Sequence, residues 1–104
     1  PHSSTKVLRA GPIHLDLERR IVRCLDKEAH LTPRLTSLLQ IFMEHPNEVL
    51  EREDIFRKIW NTEYTGDTRT LDVHISWIRQ AIEENPRKPR YLITIRSVGY
   101  RLDI

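Results

Sequence analysis

The segment from Thr68 to Tyr100 constrains the fold more than any other, because it pairs an amphipathic helix with a short hairpin. At about 100° per residue, the helix has one apolar side and one mixed side. The apolar side carries Leu71, Ile75, Ile78 and Ile82, and the other carries Arg69, Val73, Ser76, Trp77 and Gln80. One face is therefore expected to build a core, and the other remains available for a partner.

The ends of this helix carry recognisable signals. Asp67 or Thr68 can cap its N-terminus, and Asn85-Pro86 closes the other end because proline cannot continue the backbone hydrogen-bond ladder. We therefore predict a helix over residues 69–84.

The C-terminal residues predict a β-hairpin. Residues 91–95 are β-branched or aromatic, residues 96–99 have turn composition, and residues 100–104 alternate apolar with polar side chains. Arg96 is expected at the tip. The predicted helix over residues 69–84 is therefore followed by a β-hairpin, called the wing below.

The first third of the chain predicts a small antiparallel sheet with one solvent-facing side. Its strands are expected over residues 7–9, 13–17, 20–25 and 29–31. Residues 1–6 are expected to be a linker or a remnant of cloning, which leaves residues 7–104 as the folded domain.

Two more helices are predicted between this sheet and the third helix. The first has an N-cap at Thr32, Pro33 at its first position and an apolar stripe through Met43. The second is predicted over residues 52–61 and is expected to bury Ile55, Phe56, Ile59 and Trp60. The order predicts an α+β winged helix-turn-helix: an N-terminal four-stranded antiparallel sheet, a three-helix core and a C-terminal hairpin wing. In this fold the third helix enters a DNA major groove.

Composition sets looser bounds. With 104 residues and 38% apolar content, the chain suffices for one domain with a modest core. Cys24 is the only cysteine, which excludes an intrachain disulfide and favours a buried, inert thiol in a reducing compartment. Apolar runs stay far below the roughly 18 residues of a membrane span. We expect a cytoplasmic protein that is a monomer when not bound to DNA.

Charge placement is more informative than total charge. The formal net charge is only +2, but residues 68–104 hold seven Lys/Arg against four Asp/Glu, whereas residues 1–67 hold ten against eleven. The positive excess thus accompanies the helix and wing, as a polyanionic partner would require.

These segments together resemble the effector domain of OmpR/PhoB-type response regulators, which are bacterial two-component transcription factors. The resemblance runs from Gly11 onward. It rests on Leu31-Thr32-Pro33 with Leu38-Leu39, on Arg52-Glu53 with Ile59-Trp60, on Arg69 to Ser76 with Arg79, and on Thr94 to Arg101. It implies sequence-specific binding of double-stranded DNA to regulate transcription, tandem binding to direct repeats, and a receiver domain absent from this chain. It implies no cofactor and no catalysis.

The resemblance also assigns residues. Phosphate contacts are implied at Arg52, Trp60, Arg69, His74, Arg79 and Thr94, and base contacts at Thr70, Val73, Ser76 and Trp77. Arg96 would enter the minor groove, and a loop containing Glu63, Tyr64 and Thr65 would contact RNA polymerase. Elementary chemistry supports several of these, since guanidinium groups bind phosphate bidentately and a narrow minor groove attracts arginine. Val73 suits a thymine methyl group.

Departures from the family pattern concern the same surface. Ser76 and Trp77 stand where many members carry Arg or another polar side chain, so Trp77 could stack or wedge against DNA or rest on a protein surface. Leu35 and Glu51 stand where the first two helices usually carry capping residues. Ser97 replaces the first wing glycine, so a positive φ there would be strained.

Two other classes of function compete with DNA binding. Asp72, His74 and Ser76 superficially spell a catalytic triad, but at i, i+2 and i+4 on a helix His74 points away from the other two. The histidines show no metal-ligand spacing, so no metal is expected. The stronger rival is a winged helix that docks a protein partner through Trp77, Val73 and Tyr64.

Overall fold

The computed structural model describes residues 6–104, which form seven strands and three helices. In chain order, strands β1 to β7 are Val7–Ala10, Ile13–Asp16, Ile21–Cys24, Lys27–His30, Val49–Glu51, Leu92–Ile95 and Gly99–Leu102. Helices α1 to α3 are Pro33–Glu44, Arg52–Trp60 and Arg69–Ile82. The predicted linker lies outside the described residues apart from Lys6, whose carbonyl accepts a hydrogen bond from the Leu17 N–H at 2.9 Å.

The N-terminal sheet is antiparallel in the order β1-β2-β3-β4, as predicted. Alternation along β2 and β3 turns Ile13, Leu15, Val22 and Cys24 into the core. Burial, followed by the nearby charge of Glu83, raises the pKa of the Cys24 thiol. The expectation of a buried thiol is confirmed, and its raised pKa disfavours the reactive thiolate.

Helix α1 packs against both α2 and α3. The Thr32 hydroxyl caps α1 by accepting the Leu35 N–H at 3.1 Å, with Pro33 in the first turn. Leu35 is itself buried, so the residue that departs from the usual capping pattern extends the apolar stripe. Helix α2 buries Ile55 and Phe56, while the other two residues expected in the core, Ile59 and Trp60, are only partly buried.

Helix α3 buries its predicted apolar face but ends at Ile82, two residues before the predicted end at Glu84. The physical reason lies in tertiary contacts. Glu83 turns into an extended conformation, with φ −86° and ψ 141°. The Lys27 ammonium group on β4 donates hydrogen bonds to the carbonyls of Gln80 and Glu83, both at 2.7 Å. A cation from the sheet thus satisfies carbonyls at the C-terminus of α3.

The wing is a three-stranded sheet in the order β5-β7-β6, in which the predicted hairpin acquires an additional strand, β5. Gly99 permits this pairing. A Cβ atom there would lie 2.0 Å from the carbonyl oxygen of Leu50 and 2.9 Å from the amide nitrogen of Arg52. At the turn, Ser97 has φ 65°, so the positive φ that its sequence position suggested is present. No helix within residues 6–104 is long and apolar enough to cross a membrane.

Replacing Gly99 with alanine should destabilise the domain by about 2–3 kcal/mol, because the new methyl group would overlap the backbone of β5. Urea unfolding followed by circular dichroism measures this change. Gly66→Ala is the matched control and should change stability by less than about 0.5 kcal/mol, because its nearest contact is the movable hydroxyl of exposed Tyr64. Equal effects of the two substitutions on stability would contradict the proposal that Gly99 allows β7 to approach β5 closely.

Candidate nucleic-acid interface

The outer face of α3 is open to solvent. The four residues expected to contact bases, Thr70, Val73, Ser76 and Trp77, are all exposed there. Val73 is 46% and Trp77 is 47% exposed, large fractions for apolar side chains on a helix whose other face is buried. The prediction that this flank projects outward is therefore confirmed, whereas the base contacts themselves remain a prediction.

A hydrogen-bonded joint at Asp72 connects α3 to α2 and to the wing. The Asp72 carboxylate accepts a hydrogen bond from Arg52 Nη2 of α2 at 2.8 Å and another from the Tyr100 hydroxyl of β7. Arg52 Nε also donates to the Thr68 hydroxyl at 3.0 Å, beside the start of α3. Three elements thus meet at one carboxylate, which fixes the angle of α3 relative to the wing. The sequence alone gave no signal for this joint.

Burial and these hydrogen bonds shift the pKa values of Asp72 and Tyr100. Burial opposes the charge of Asp72, but hydrogen bonds from Arg52 and Tyr100 outweigh it, and the pKa of Asp72 lies below its ordinary value. Burial, together with the hydrogen bond to Asp72, raises the pKa of Tyr100. Both shifts favour an ionised Asp72 beside a neutral Tyr100.

A buried carboxylate holds the opposite end of α3. Glu83 is only 1% exposed, and its carboxylate accepts hydrogen bonds from three successive backbone N–H groups. These belong to Arg90 at 2.7 Å, Tyr91 at 3.0 Å and Leu92 at 2.8 Å. The first strand of the hairpin is therefore tied to the C-terminus of α3, and the buried charge is compensated by donors. The role of Glu83 was not predicted from the sequence, because a glutamate near the end of a helix is usually exposed to solvent.

The three arginines expected to bind phosphate are all engaged within the protein, and two of them, Arg52 and Arg79, bond to other elements of the fold. Arg52 serves the joint at Asp72, and Arg79 Nε donates to the Leu92 carbonyl at 2.9 Å. Arg79 Nη2 also donates to the Thr94 hydroxyl oxygen at 2.7 Å. Because that oxygen acts as the acceptor, the hydroxyl proton of Thr94 is left to point elsewhere.

Four rings form an aromatic row that runs from the core to the outer face of α3. Phe56 stacks on Trp60 at 4.8 Å between centroids, Trp60 meets the His74 ring edge-on at 4.9 Å, and His74 lies 5.1 Å from Trp77. The guanidinium of Arg34 covers Trp60 at 4.9 Å. Each ring restrains the next, so the row stiffens the exposed end.

The His74 ring is oriented by the backbone. Its Nδ1 lies 2.9 Å from the Thr70 carbonyl oxygen. A carbonyl only accepts, so Nδ1 carries a proton, and Nε2 can donate to an anion only in the imidazolium form. With Asp72 bound to Arg52 and Tyr100, the superficial triad has no hydrogen bond between His74 and its other members. Among residues 6–104, no three His, Cys, Asp or Glu side chains are grouped as a metal site requires.

The remaining predicted residues lie at the start of α3, in the hairpin turn and in the loop before α3. Arg69 forms a bidentate ion pair with Asp67, at 3.0 and 2.8 Å, and lowers the pKa of that carboxyl to about 2. Arg96 is exposed in the hairpin turn. In the loop before α3, Tyr64 is 69% exposed and Glu63 is exposed. Thr65 beside them is half-buried.

Comparison with known proteins places this arrangement in context. Residues 26–102 match the family described as transcriptional regulatory protein, C terminal. The chain is 43% identical over 102 residues to the alkaline phosphatase synthesis transcriptional regulatory protein SphR of Synechococcus elongatus, covering 98% of this chain and 40% of that protein. It is 39% identical over 97 residues to the sensory transduction protein RegX3 of Mycolicibacterium smegmatis, covering 93% of this chain and 42% of that protein. The chain thus spans about two fifths of the curated relatives it matches.

Solved structures share the fold. The response regulator DrrB of Thermotoga maritima, an OmpR/PhoB homolog, superposes with a TM-score of 0.79 at 30% identity, covering 94% of this chain and 44% of that one. The DNA-binding domain of the response regulator AdeR, in complex with an intercistronic region, gives 0.73 at 27% identity, covering 92% of this chain and 98% of that one. The winged helix-turn-helix prediction is thereby confirmed.

Replacing Asp72 with asparagine should destabilise the domain by about 1 kcal/mol near neutral pH, because Arg52 and Tyr100 lose a charged acceptor that is partly screened by solvent. The pKa of Asp72 is depressed by folding, so its contribution is complete above the unfolded pKa near 4 and disappears as the pH falls through the folded value. The difference between the two proteins should therefore shrink in acid, as measured by urea unfolding from pH 7 down to about pH 2.5.

Asp54→Asn is the control, since Asp54 is an exposed carboxylate paired only with Arg57 across one helical turn. It should change stability by less than about 0.5 kcal/mol. If the stability difference between the wild-type domain and Asp72→Asn stays constant as the pH falls, the proposed role of the ionised Asp72 carboxylate is wrong.

Proposed function

Because this chain belongs to the family of C-terminal domains of transcriptional regulatory proteins, the OmpR/PhoB-type effector domains, we propose that α3 and the wing bind double-stranded DNA sequence-specifically to regulate transcription. The observation that carries the proposal is the exposed outer face of α3, held at both ends by carboxylates, with Arg96 exposed in the neighbouring hairpin turn. In this class α3 enters the major groove, while the wing reaches an adjacent groove. The domain recognises DNA and catalyses no reaction.

Phosphate binding is assigned to the residues around the outer face. Arg69 would exchange its ion pair with Asp67 for a phosphate, and the Thr94 hydroxyl would donate the proton that its bond with Arg79 leaves available. His74 would donate through Nε2 in its imidazolium form. Trp60 would offer its indole N–H, a neutral donor.

Arg52 and Arg79 are assigned a double role. Their hydrogen bonds to Asp72 and Leu92 position α3, and the donors that remain on each guanidinium are proposed to contact phosphates. Phosphate contacts of this kind fix the register of the helix on the duplex but carry no sequence information.

Sequence discrimination is assigned to the outer face and to the wing. Thr70 and Ser76 offer hydroxyl groups, Val73 and Trp77 offer apolar surface, and all four are exposed. Arg96 is proposed to enter a narrow minor groove, where the negative potential is strongest.

The whole protein is proposed to be longer than this chain, which spans about two fifths of its curated relatives. We propose a separate receiver domain, tandem binding to direct repeats, and contact with RNA polymerase through Glu63, Tyr64 and Thr65. We further propose a cytoplasmic location and a monomeric state in the absence of DNA. The exposure of Glu63 and Tyr64 supports the polymerase contact.

A second candidate, docking of a protein partner, is favoured by one observation. Tyr64, Val73 and Trp77 are among the most exposed large apolar side chains, at 69%, 46% and 47%. Surface of this composition suits a protein interface as well as DNA. The two candidates differ in their dependence on salt.

Binding to duplex DNA should weaken with added salt at a log-log slope of about −4 to −5, because roughly five phosphates would be neutralised per domain. Fluorescence anisotropy with a labelled genomic fragment measures the affinity at several salt concentrations. A flat salt response, or an absence of binding to a pool of genomic fragments, would contradict DNA binding and favour protein docking.

Replacing Arg96 with alanine should weaken binding by about fivefold or more at sites with A·T-rich flanks and by much less at G·C-rich flanks. Arg69→Ala is the matched comparison and should weaken all sequences alike, with a salt slope lower by about 1. Competition binding with flank variants of one site measures both effects. Equal losses for Arg96→Ala across all flanks would contradict the minor-groove assignment.

A further inference from the structure

We propose that Trp77 contacts the 5-methyl group of a thymine in the DNA site, so that the domain prefers this methyl group at one or two positions. The inference rests on the proposed function, since it specifies what the same surface recognises. It commits to one ligand chemistry: a methyl group on a pyrimidine in the major groove.

The first support is the arrangement of apolar surface on α3. Val73 and Trp77 lie four residues apart and are therefore neighbours along one face of the helix. Each is nearly half exposed, although the same helix buries Ile75 and Ile78 almost completely. The apolar pair thus lies on the face opposite the core, where burial within the domain cannot explain it.

The second support is that Trp77 is held in place. His74 lies 5.1 Å from the Trp77 ring, and His74 is in turn fixed by Trp60 and by its hydrogen bond to the Thr70 carbonyl. Because the indole is restrained before binding, little side-chain entropy remains to be lost when a partner covers it. A restrained, half-exposed ring is suited to discriminate shape.

The chemistry of the groove then selects the ligand. Base edges in the major groove present hydrogen-bond donors and acceptors, and among them only the thymine methyl group is apolar. An indole ring placed against a polar base edge would strip water from groups that it cannot satisfy, apart from the single acceptor its N–H could reach. Contact with a methyl group carries no such penalty, while Thr70 and Ser76 remain available for polar edges.

The test begins with duplexes selected from a random library by this domain. Each thymine is then replaced singly by deoxyuridine, which removes the methyl group and keeps the hydrogen-bonding pattern. At one or two positions the wild-type domain should lose about fourfold in affinity per methyl group. A duplex with 5-methylcytosine at the same position should bind more tightly than the duplex with unmethylated cytosine there.

Three variants assign this effect to Trp77. Trp77→Ala should bind thymine and uracil duplexes equally at the sensitive position, and Trp77→Leu, which keeps apolar bulk, should restore part of the preference. Val7→Ala is the control, because Val7 is also an exposed apolar residue but lies on edge strand β1. Helix α3 packs against β3 and β4, so this substitution should leave the thymine preference unchanged. Thermal unfolding of each variant verifies that it is folded.

The outcomes separate this inference from the proposed function. Salt-dependent binding with no sensitive thymine overturns the role of the methyl group and leaves DNA binding intact. A sensitive thymine that persists in Trp77→Ala assigns the contact to another residue and also overturns the inference. A strong preference for guanine at the position nearest Trp77 would show that the indole N–H is used instead of a methyl contact, and would overturn the inference. Absence of any binding to DNA overturns both proposals.

Discussion

The orientation of α3 depends on two carboxylates, one near each end of the helix. Asp72 receives a guanidinium from α2 and a hydroxyl from β7, and Glu83 receives three backbone N–H groups at the start of β6. Charged hydrogen bonds are directional, whereas the hydrophobic contacts beneath α3 are not. Burial of its apolar face therefore keeps α3 packed on the core, and the carboxylates determine the angle and register at which α3 meets the wing.

Fixed orientation of α3 explains how a chain with so small a net charge can present a surface suited to a polyanion. The net charge is only +2, and Arg52 and Arg79 are partly committed to hydrogen bonds within the domain. Those bonds hold cations beside α3 in defined positions, which suits recognition of spaced phosphates better than a diffuse positive field. The aromatic row of Phe56, Trp60, His74 and Trp77 adds a chain of ring contacts that ends at the half-exposed indole of Trp77.

Much of the fold was predictable because it depends on local periodicity. Alternation in the first strands, the cap at Thr32 and the apolar face of α3 each reflect interactions within a few residues, and each was recovered from the sequence. Strand β5 was missed since three residues carry too little pattern, and its pairing relies on Gly99 about fifty positions away. The end of α3 was misplaced because Lys27 on a distant strand decides where its last carbonyls are satisfied.

The sequence by itself determined which residues belong to the outer face of α3, because helical periodicity is a property of the local backbone. The structure then showed that Ser97 adopts a positive φ at the wing turn, which the sequence had raised only as a possible source of strain. Only the tertiary structure decided which charged side chains form hydrogen bonds between elements of the domain and which remain exposed to solvent. Asp72, Glu83 and Arg79 are ordinary polar residues in the chain, and they acquire positioning roles only when β6 and β7 are brought alongside the helix. Hydrogen-bond partners so far apart along the chain leave no periodic trace in it.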